Sequence, residues 1–167
     1  LTWARTQSGT LQINTEKLEL YSVLTEQINL LLKSAESKNI QLINTTPLNI
    51  FVLADKNMLD TIIRNLITNA IKFTNNNGII TITAEQKNDF AEITITDTGI
   101  GMNEQTKNSL FKIGENISTE GTNEEPGTGL GLILCKEFIE KNGGTIWVES
   151  TLKHGSIFKF TIPLHTI

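Results

Sequence analysis

The sequence predicts an α+β fold, a two-layer sandwich in which one mixed sheet carries helices on one face and a long lid crosses between two of its elements. Three observations lead there. Segments with apolar residues at period two are interleaved with segments at period 3.6, so strands and helices share one chain. Two pairs of alternating segments are joined by short turns and read as antiparallel hairpins. One polar stretch, Met102 to Gly127, is too long for an ordinary connection.

In chain order, Thr10 to Asn14 reads as a short strand, Leu20 to Ser37 as a helix, Ile40 to Asn44 as a strand and Ile50 to Leu53 as another. Asp55 to Thr74 is a long helix with Leu59, Ile63, Leu66 and Ala70 as its core stripe. It stops at Asn75-Asn76-Asn77-Gly78, a run of turn formers. Ile79 to Gln86 and Phe90 to Asp97 make one hairpin across Lys87-Asn88-Asp89. The lid follows, with a short helix near Asn103 to Leu110. Leu130, Ile133, Leu134 and Phe138 then mark an amphipathic helix that begins near Gly129 and ends at Gly143, a left-handed C′ residue. Thr145 to Ser150 and Ser156 to Ile162 make the second hairpin around His154-Gly155, with Phe158, Phe160 and Ile162 on one face.

Three segments carry chemistry. In the strand ending at Asp97, Ala91, Ile93, Ile95 and Asp97 share one face, so a carboxylate is placed among aliphatic side chains. An unpaired carboxylate there costs several kcal/mol or is forced neutral, and a nucleobase amino group is a fitting partner. Asp before Gly also suits a turn cap through its own backbone. The second segment is a pair of glycine clusters, Asp97-Thr98-Gly99-Ile100-Gly101 and Gly127-Thr128-Gly129-Leu130-Gly131, the latter leading directly into a helix. Free amides at a helix start attract phosphate, and glycine lets the backbone approach it. The third is the long helix, where Asn65, Asn69 and Lys72 at i, i+4 and i+7 form a polar stripe beside the core. Two asparagines one turn apart suit a hard cation such as Mg²⁺, with Lys72 meeting phosphate oxygens; a solvated helix face is the plainer reading.

The 167 residues are 38% apolar and 19% charged, ordinary for one soluble domain. A net charge of −4 gives no broad basic surface, so a nucleic-acid role is not expected. No apolar run approaches the length of a membrane span, so direct membrane contact by this stretch is not expected either. The single cysteine, Cys135, excludes an internal disulfide and points to a reducing, cytoplasmic setting.

Together these segments resemble the N box and the two glycine boxes of the sensor histidine kinase catalytic domain, a Bergerat-fold ATP-binding domain of two-component or hybrid systems. Asn65-Leu66-Ile67-Thr68-Asn69-Ala70-Ile71-Lys72-Phe73-Thr74 matches the N box nearly throughout. Leu110-Phe111 resembles the family's F box. The similarity runs through Gly143-Gly144-Thr145-Ile146 and Gly155-Ser156-Ile157-Phe158 to Ile162-Pro163. The resemblance implies an ATP and Mg²⁺ site. Asp97 would accept from the adenine amino group, Asn69 would ligate Mg²⁺, Asn65 and Lys72 would serve the metal and phosphate region as catalytic residues, and Phe73 would line the nucleotide. Gly99, Gly101, Gly127, Thr128, Gly129, Leu130 and Gly131 would shape the lid hinges and the phosphate-facing turn. Phe111 would lie at the lid's base.

The resemblance also bears on reaction type and partners. Superfamily members that hydrolyse ATP carry a glutamate one helical turn before the metal-binding asparagine, whereas this chain has Asn65 there. A neutral amide is no general base, so transfer to another nucleophile is expected over hydrolysis. Related kinases often carry a basic lid residue, yet Gly114 to Pro126 holds four glutamates and no lysine or arginine. Lys112 or the partner domain is left to supply that charge. His154 and His165 lie after the last helix and do not match the family's phosphoacceptor pattern. The expected partners are therefore a histidine-containing helical dimerisation domain and a response-regulator receiver domain. Leu1 to Ser8 resemble the tail of that helical hairpin, giving expected boundaries of 1–9 for the hairpin's end and 10–167 for the catalytic domain. The full-length protein is expected to be a membrane-anchored homodimer with this domain inside the cell, and the isolated stretch a monomer. A non-catalytic nucleotide-binding or scaffold module of the same fold is the alternative.

Overall fold

The structure, a computed structural model, describes residues 11–112, 121–122 and 130–166. Its strands are β1 (Thr15–Glu19), β2 (Gln41–Asn44), β3 (Phe51–Asp55), β4 (Ile79–Lys87), β5 (Phe90–Asp97), β6 (Ile146–Ser150) and β7 (Ser156–Pro163). Its helices are α1 (Leu20–Glu36), α2 (Lys56–Phe73), α3 (Glu104–Ser109) and α4 (Gly131–Lys141). A five-stranded sheet runs β2-β4-β5-β7-β6. β2 is parallel to β4 and every other pairing in it is antiparallel, so the sheet is mixed.

Two expectations at the start of the chain need correction. The first strand is Thr15–Glu19, while the described part of the expected Thr10 to Asn14 strand has no regular structure. Thr10-Leu11-Gln12-Ile13-Asn14 imitates a strand by alternation. The real strand hides its pattern, because Glu16, Lys17 and Glu19 surround a single fully buried position, Leu18. The strands are also not all in one sheet: β1 and β3 form a separate antiparallel ladder, tied to the end of β7 by a bridge from Val52 to Leu164. The expectations for Leu1 to Ser8 lie outside the described residues.

One face of the large sheet makes the core. Ile80, Ile82 and Ala84 of β4, Ala91, Ile93 and Ile95 of β5, and Phe158, Phe160 and Ile162 of β7 are buried, whereas Thr81, Thr83, Thr94 and Thr96 alternate away from them. Glu92 departs from this pattern. It is buried, and Lys87 Nζ donates to its Oε1 at 2.9 Å across the hairpin. Ile146 and Val148 pack on the core, which puts Trp147 on the opposite face beside Lys159, half-buried.

α2 is the axis on which the site is built. Asp55 is its N-cap: Oδ1 accepts from the Met58 amide at 3.1 Å and Oδ2 from the Asn14 amide at 2.9 Å. Leu59, Ile63, Leu66 and Ala70 are all buried, as the period of the sequence requires. α4 packs antiparallel to α2, since Gly131 lies by Asn65, Cys135 Sγ approaches Ile62 O and Asn142 reaches the amide of Asp55.

Asn142 locks that pairing. It is buried, its Oδ1 accepts from Asp55 N at 2.8 Å, and its Nδ2 donates to Phe138 O at 2.7 Å. Asn142→Ala leaves the buried amide of Asp55 without its acceptor, while Phe138 O keeps the backbone amide of residue 142, so the chain should lose about 1–3 kcal/mol of stability. Urea denaturation checks it; an unchanged midpoint with unchanged slope would show that water replaces the side chain. Gly143 follows at φ +87°, the left-handed C′ residue expected there.

Candidate functional site

The loop after β5 folds back onto the carbonyl end of α2. Asp97 is buried, and its Oδ1 accepts two backbone amides, Gly99 at 2.8 Å and Ser156 at 3.2 Å. The first is a turn cap of the Asp-before-Gly kind and the second ties the loop to β7. Among the described residues nothing donates to Oδ2. Burial pushes the Asp97 carboxyl above the usual carboxylate range, and the two amides oppose that shift without cancelling it. A carboxylate in this state has one oxygen fixed by the fold and one available for a ligand's donor.

Glycines enforce the loop's path. Ile100 N donates to Phe73 O at 3.0 Å, and a Cβ on Gly99 would collide with that same carbonyl. Gly101 has φ +66°, and a Cβ there would collide with Thr151 O. The turn between β6 and β7 supplies the opposing wall: Ser150 Oγ accepts from Met102 N at 2.9 Å and donates to Gly155 O at 2.9 Å.

Along α2, Asn65, Asn69, Lys72 and Phe73 are all half-buried, as a stripe bordering the core should be. Lys72 Nζ lies 4.9 Å from the centroid of the Phe73 ring, so the expected phosphate-contacting lysine is held by a cation–π contact near the loop of Asp97. Asn65 faces the start of α4. Cys135 Sγ donates to Ile62 O at 3.7 Å, and burial pushes this fully buried thiol up to about 12. Cys135 is thus an inert packing thiol.

Gly131 differs from the other glycines. A Cβ built on it would meet, among the described residues, only Asn65, at 3.7 Å, which is ordinary van der Waals contact. Packing does not demand glycine here; its effect is to leave space beside Asn65 at the first turn of α4. Leu130 is the N-cap and offers no side-chain acceptor to the first-turn amides. That donor set suits an anion. Gly127, Thr128 and Gly129 lie outside the described residues, as does most of the glutamate-bearing stretch of the expected lid.

Phe111 packs half-buried against the core at the end of α3, at the base of the expected lid. The structure also adds residues that the sequence did not single out for function: Ser156 and Gly155 as the mount of Asp97, and Lys38, Thr74 and Thr122 at the carbonyl end of α2. Thr74 Oγ1 is buried with no hydrogen-bond partner. His154 is exposed and His165 is half-buried, its amide donating to Phe51 O. Among the described residues no three His, Cys, Asp or Glu side chains gather as metal ligands, and no helix is long and apolar enough to cross a membrane.

Comparison with known proteins gives the family and the fold. Residues 54–166 match the family model described as histidine kinase-, DNA gyrase B-, and HSP90-like ATPase. The chain is 37% identical over 155 residues to the adaptive-response sensory kinase SasA of Prochlorococcus marinus, covering 90% of this chain and 41% of that protein. It is 34% identical to the circadian input-output histidine kinase CikA of Synechococcus elongatus, covering 96% of this chain and 22% of that protein. The chain thus spans about two fifths or less of these relatives. The solved catalytic domain of histidine kinase ThkA superposes with a TM-score of 0.77 at 30% identity, covering 92% of this chain and 96% of that domain.

Proposed function

The chain belongs to the histidine kinase-, DNA gyrase B-, and HSP90-like ATPase family, and on that premise we propose that it is the catalytic domain of a sensor histidine kinase, binding ATP with Mg²⁺ and giving the γ-phosphoryl group to a histidine on a separate helical dimerisation domain. The observation that carries this reading is the mounting of Asp97: a buried carboxylate with one oxygen held by two backbone amides, set against the end of the helix that bears Asn65, Asn69, Lys72 and Phe73.

In this reading Asp97 accepts from the adenine amino group, Phe73 lines the base, Lys72 and the first turn of α4 receive phosphate oxygens, and Asn69, with Asn65 beside it, serves the cation. The space kept open at Gly131, and a helix start whose N-cap Leu130 brings no side-chain acceptor, fit a phosphate there. Bound ATP supplies the phosphoryl group and Mg²⁺ screens its charge. Asn65 is a neutral amide with no basic lone pair with which to take a proton from water. Transfer to a protein nucleophile is favoured over hydrolysis. A dimerisation domain, a receiver domain as the next phosphoryl acceptor, a homodimeric full-length protein and a cytoplasmic position for this domain complete the proposal.

Titration with a fluorescent ATP analogue, with and without Mg²⁺, tests the binding step; labelled γ-phosphate appearing on a separately added histidine-bearing helical hairpin tests the transfer. Saturable, Mg²⁺-strengthened binding followed by transfer is expected. No binding at millimolar analogue would overturn the reading, binding without transfer to any hairpin would leave a nucleotide-sensing scaffold, and fast turnover by the chain alone would make it an ATP-hydrolysing clamp.

A further inference from the structure

The last four carbonyls of an α-helix lack partners within it and are ordinarily left to water. At the end of α2 each receives a donor from elsewhere. Ile71 O accepts from Lys38 Nζ at 2.8 Å, Lys72 O from Thr122 N at 2.9 Å and Lys38 Nζ at 3.2 Å, Phe73 O from Ile100 N at 3.0 Å, and Thr74 O from Thr122 Oγ1 at 3.0 Å. Lys38 and Thr122 are themselves joined, Nζ donating to Oγ1 at 2.6 Å. The hydroxyl is matched to this position, since it accepts once from the ammonium and donates once to Thr74 O.

Lys38 is only 4% exposed. Taking an ammonium out of water is costly unless its protons are all directed at acceptors, and here they meet carbonyls at the negative end of a helix dipole. Water would cap the same carbonyls without that cost. What a buried lysine adds is a fixed location: Thr122 is held directly over the end of α2. The three residues whose carbonyls this pair holds, Ile71, Lys72 and Thr74, bracket Phe73, and Lys72 and Phe73 are site residues.

We propose that Lys38 and Thr122 form a clasp on the carbonyl end of α2 that fixes its last carbonyls and so positions Lys72 and Phe73 for the nucleotide. The proposal rests on the nucleotide-binding reading given above. Neither residue touches the ligand in it; both are positioning residues.

The test uses Thr122→Val and Thr122→Ser in the whole chain, with three measurements: affinity for a fluorescent ATP analogue, the Tm of the nucleotide-free protein, and hydrogen exchange at the Thr122 amide by NMR. Thr122→Val is isosteric and removes one hydrogen-bonding hydroxyl. It should weaken analogue binding about threefold to tenfold, speed exchange at the 122 amide and, because it takes one acceptor from the buried Lys38 ammonium, lower Tm by about 3–10 °C. Thr122→Ser, which restores the hydroxyl, should return affinity and exchange to wild-type values. Lys38→Met should weaken binding at least as much, and if it does not fold the threonine pair decides alone. Wild-type affinity in Thr122→Val, or an affinity loss that tracks Tm and is not rescued by serine, overturns the proposal. A wild-type chain that binds no analogue overturns the functional reading instead; the clasp then stands only if the 122 amide is protected in wild type and exposed by valine.

Discussion

Asp97→Asn will bind an ATP analogue about tenfold to a hundredfold more weakly than the wild-type chain, yet fold at least as stably at pH 7. The first half follows from losing a charged acceptor, since a hydrogen bond to an ionised group is worth about 1.5–3 kcal/mol and its removal leaves an amide nitrogen facing the adenine amino group, donor against donor. The second half follows from the mounting. Asparagine keeps the oxygen that accepts from Gly99 and Ser156. It also removes a charge whose burial is unfavourable, because the Asp97 carboxyl is held above the usual carboxylate range by desolvation. A folded-state pKa above the unfolded one means that the native chain binds the proton more readily, so this group's contribution falls as pH rises from the unfolded value through the folded one. As pH rises through the folded-state pKa the wild type takes on that cost and the asparagine variant does not. Below the unfolded pKa of 3.8 the difference should vanish. Thermal denaturation of both proteins from about pH 3.5 to about pH 7, together with analogue titrations at pH 7, checks both halves. Equal affinities would remove Asp97 from the base site, and a large drop in Tm would make the carboxylate a structural element only.

The extent to which this fold could be read in advance depends on where each residue finds its partners. α2 was legible in full because its determinants are local: an aspartate cap, an apolar stripe at period 3.6 and an asparagine-rich stop. The β4–β5 hairpin was legible for the same reason, with period-two faces on either side of a short turn. β1 was not, since it buries only Leu18 and owes its existence to β3, more than thirty residues on. At the site, the alternation of β5 revealed that Asp97 had to be buried, and Asp before Gly revealed the turn. Both held, because the same oxygen serves turn and interior. The amide of Ser156, 59 positions away, left no local trace. Lys38 is the extreme case. A lysine just past a helix end reads as a surface residue, and only the closing of α2 and Thr122 over it makes it one of the most buried charges in the described chain.

The glycines offer a way to separate residues that build the site from residues that leave room in it. Gly155→Ala should cost about 2–5 kcal/mol of stability. Gly155 has φ +81°, which an L side chain adopts only at about 1–2 kcal/mol, and a Cβ would collide with Asp97 O while lying 3.2 Å from Gly99 N, so both obstacles are backbone and cannot rotate away. Relief requires the β6–β7 turn and the Asp97 loop to part. That motion breaks the Ser156 amide bond to the carboxylate, so analogue binding should be lost along with stability. Gly131→Ala is the counterpart. Its φ is unexceptional, its Cβ would touch Asn65 at an ordinary distance, and alanine is the better helix former, so Tm should hold or rise slightly. Binding should nevertheless weaken, because the methyl fills the space next to Asn65 at the start of α4. Urea denaturation and analogue titration on the two variants give a crossed result: one falls in stability and affinity together, the other in affinity alone. If Gly131→Ala bound as tightly as wild type, phosphate would not lie at the first turn of α4; if Gly155→Ala kept its full stability, the contact between the Asp97 loop and the β6–β7 turn would be looser than its backbone distances require.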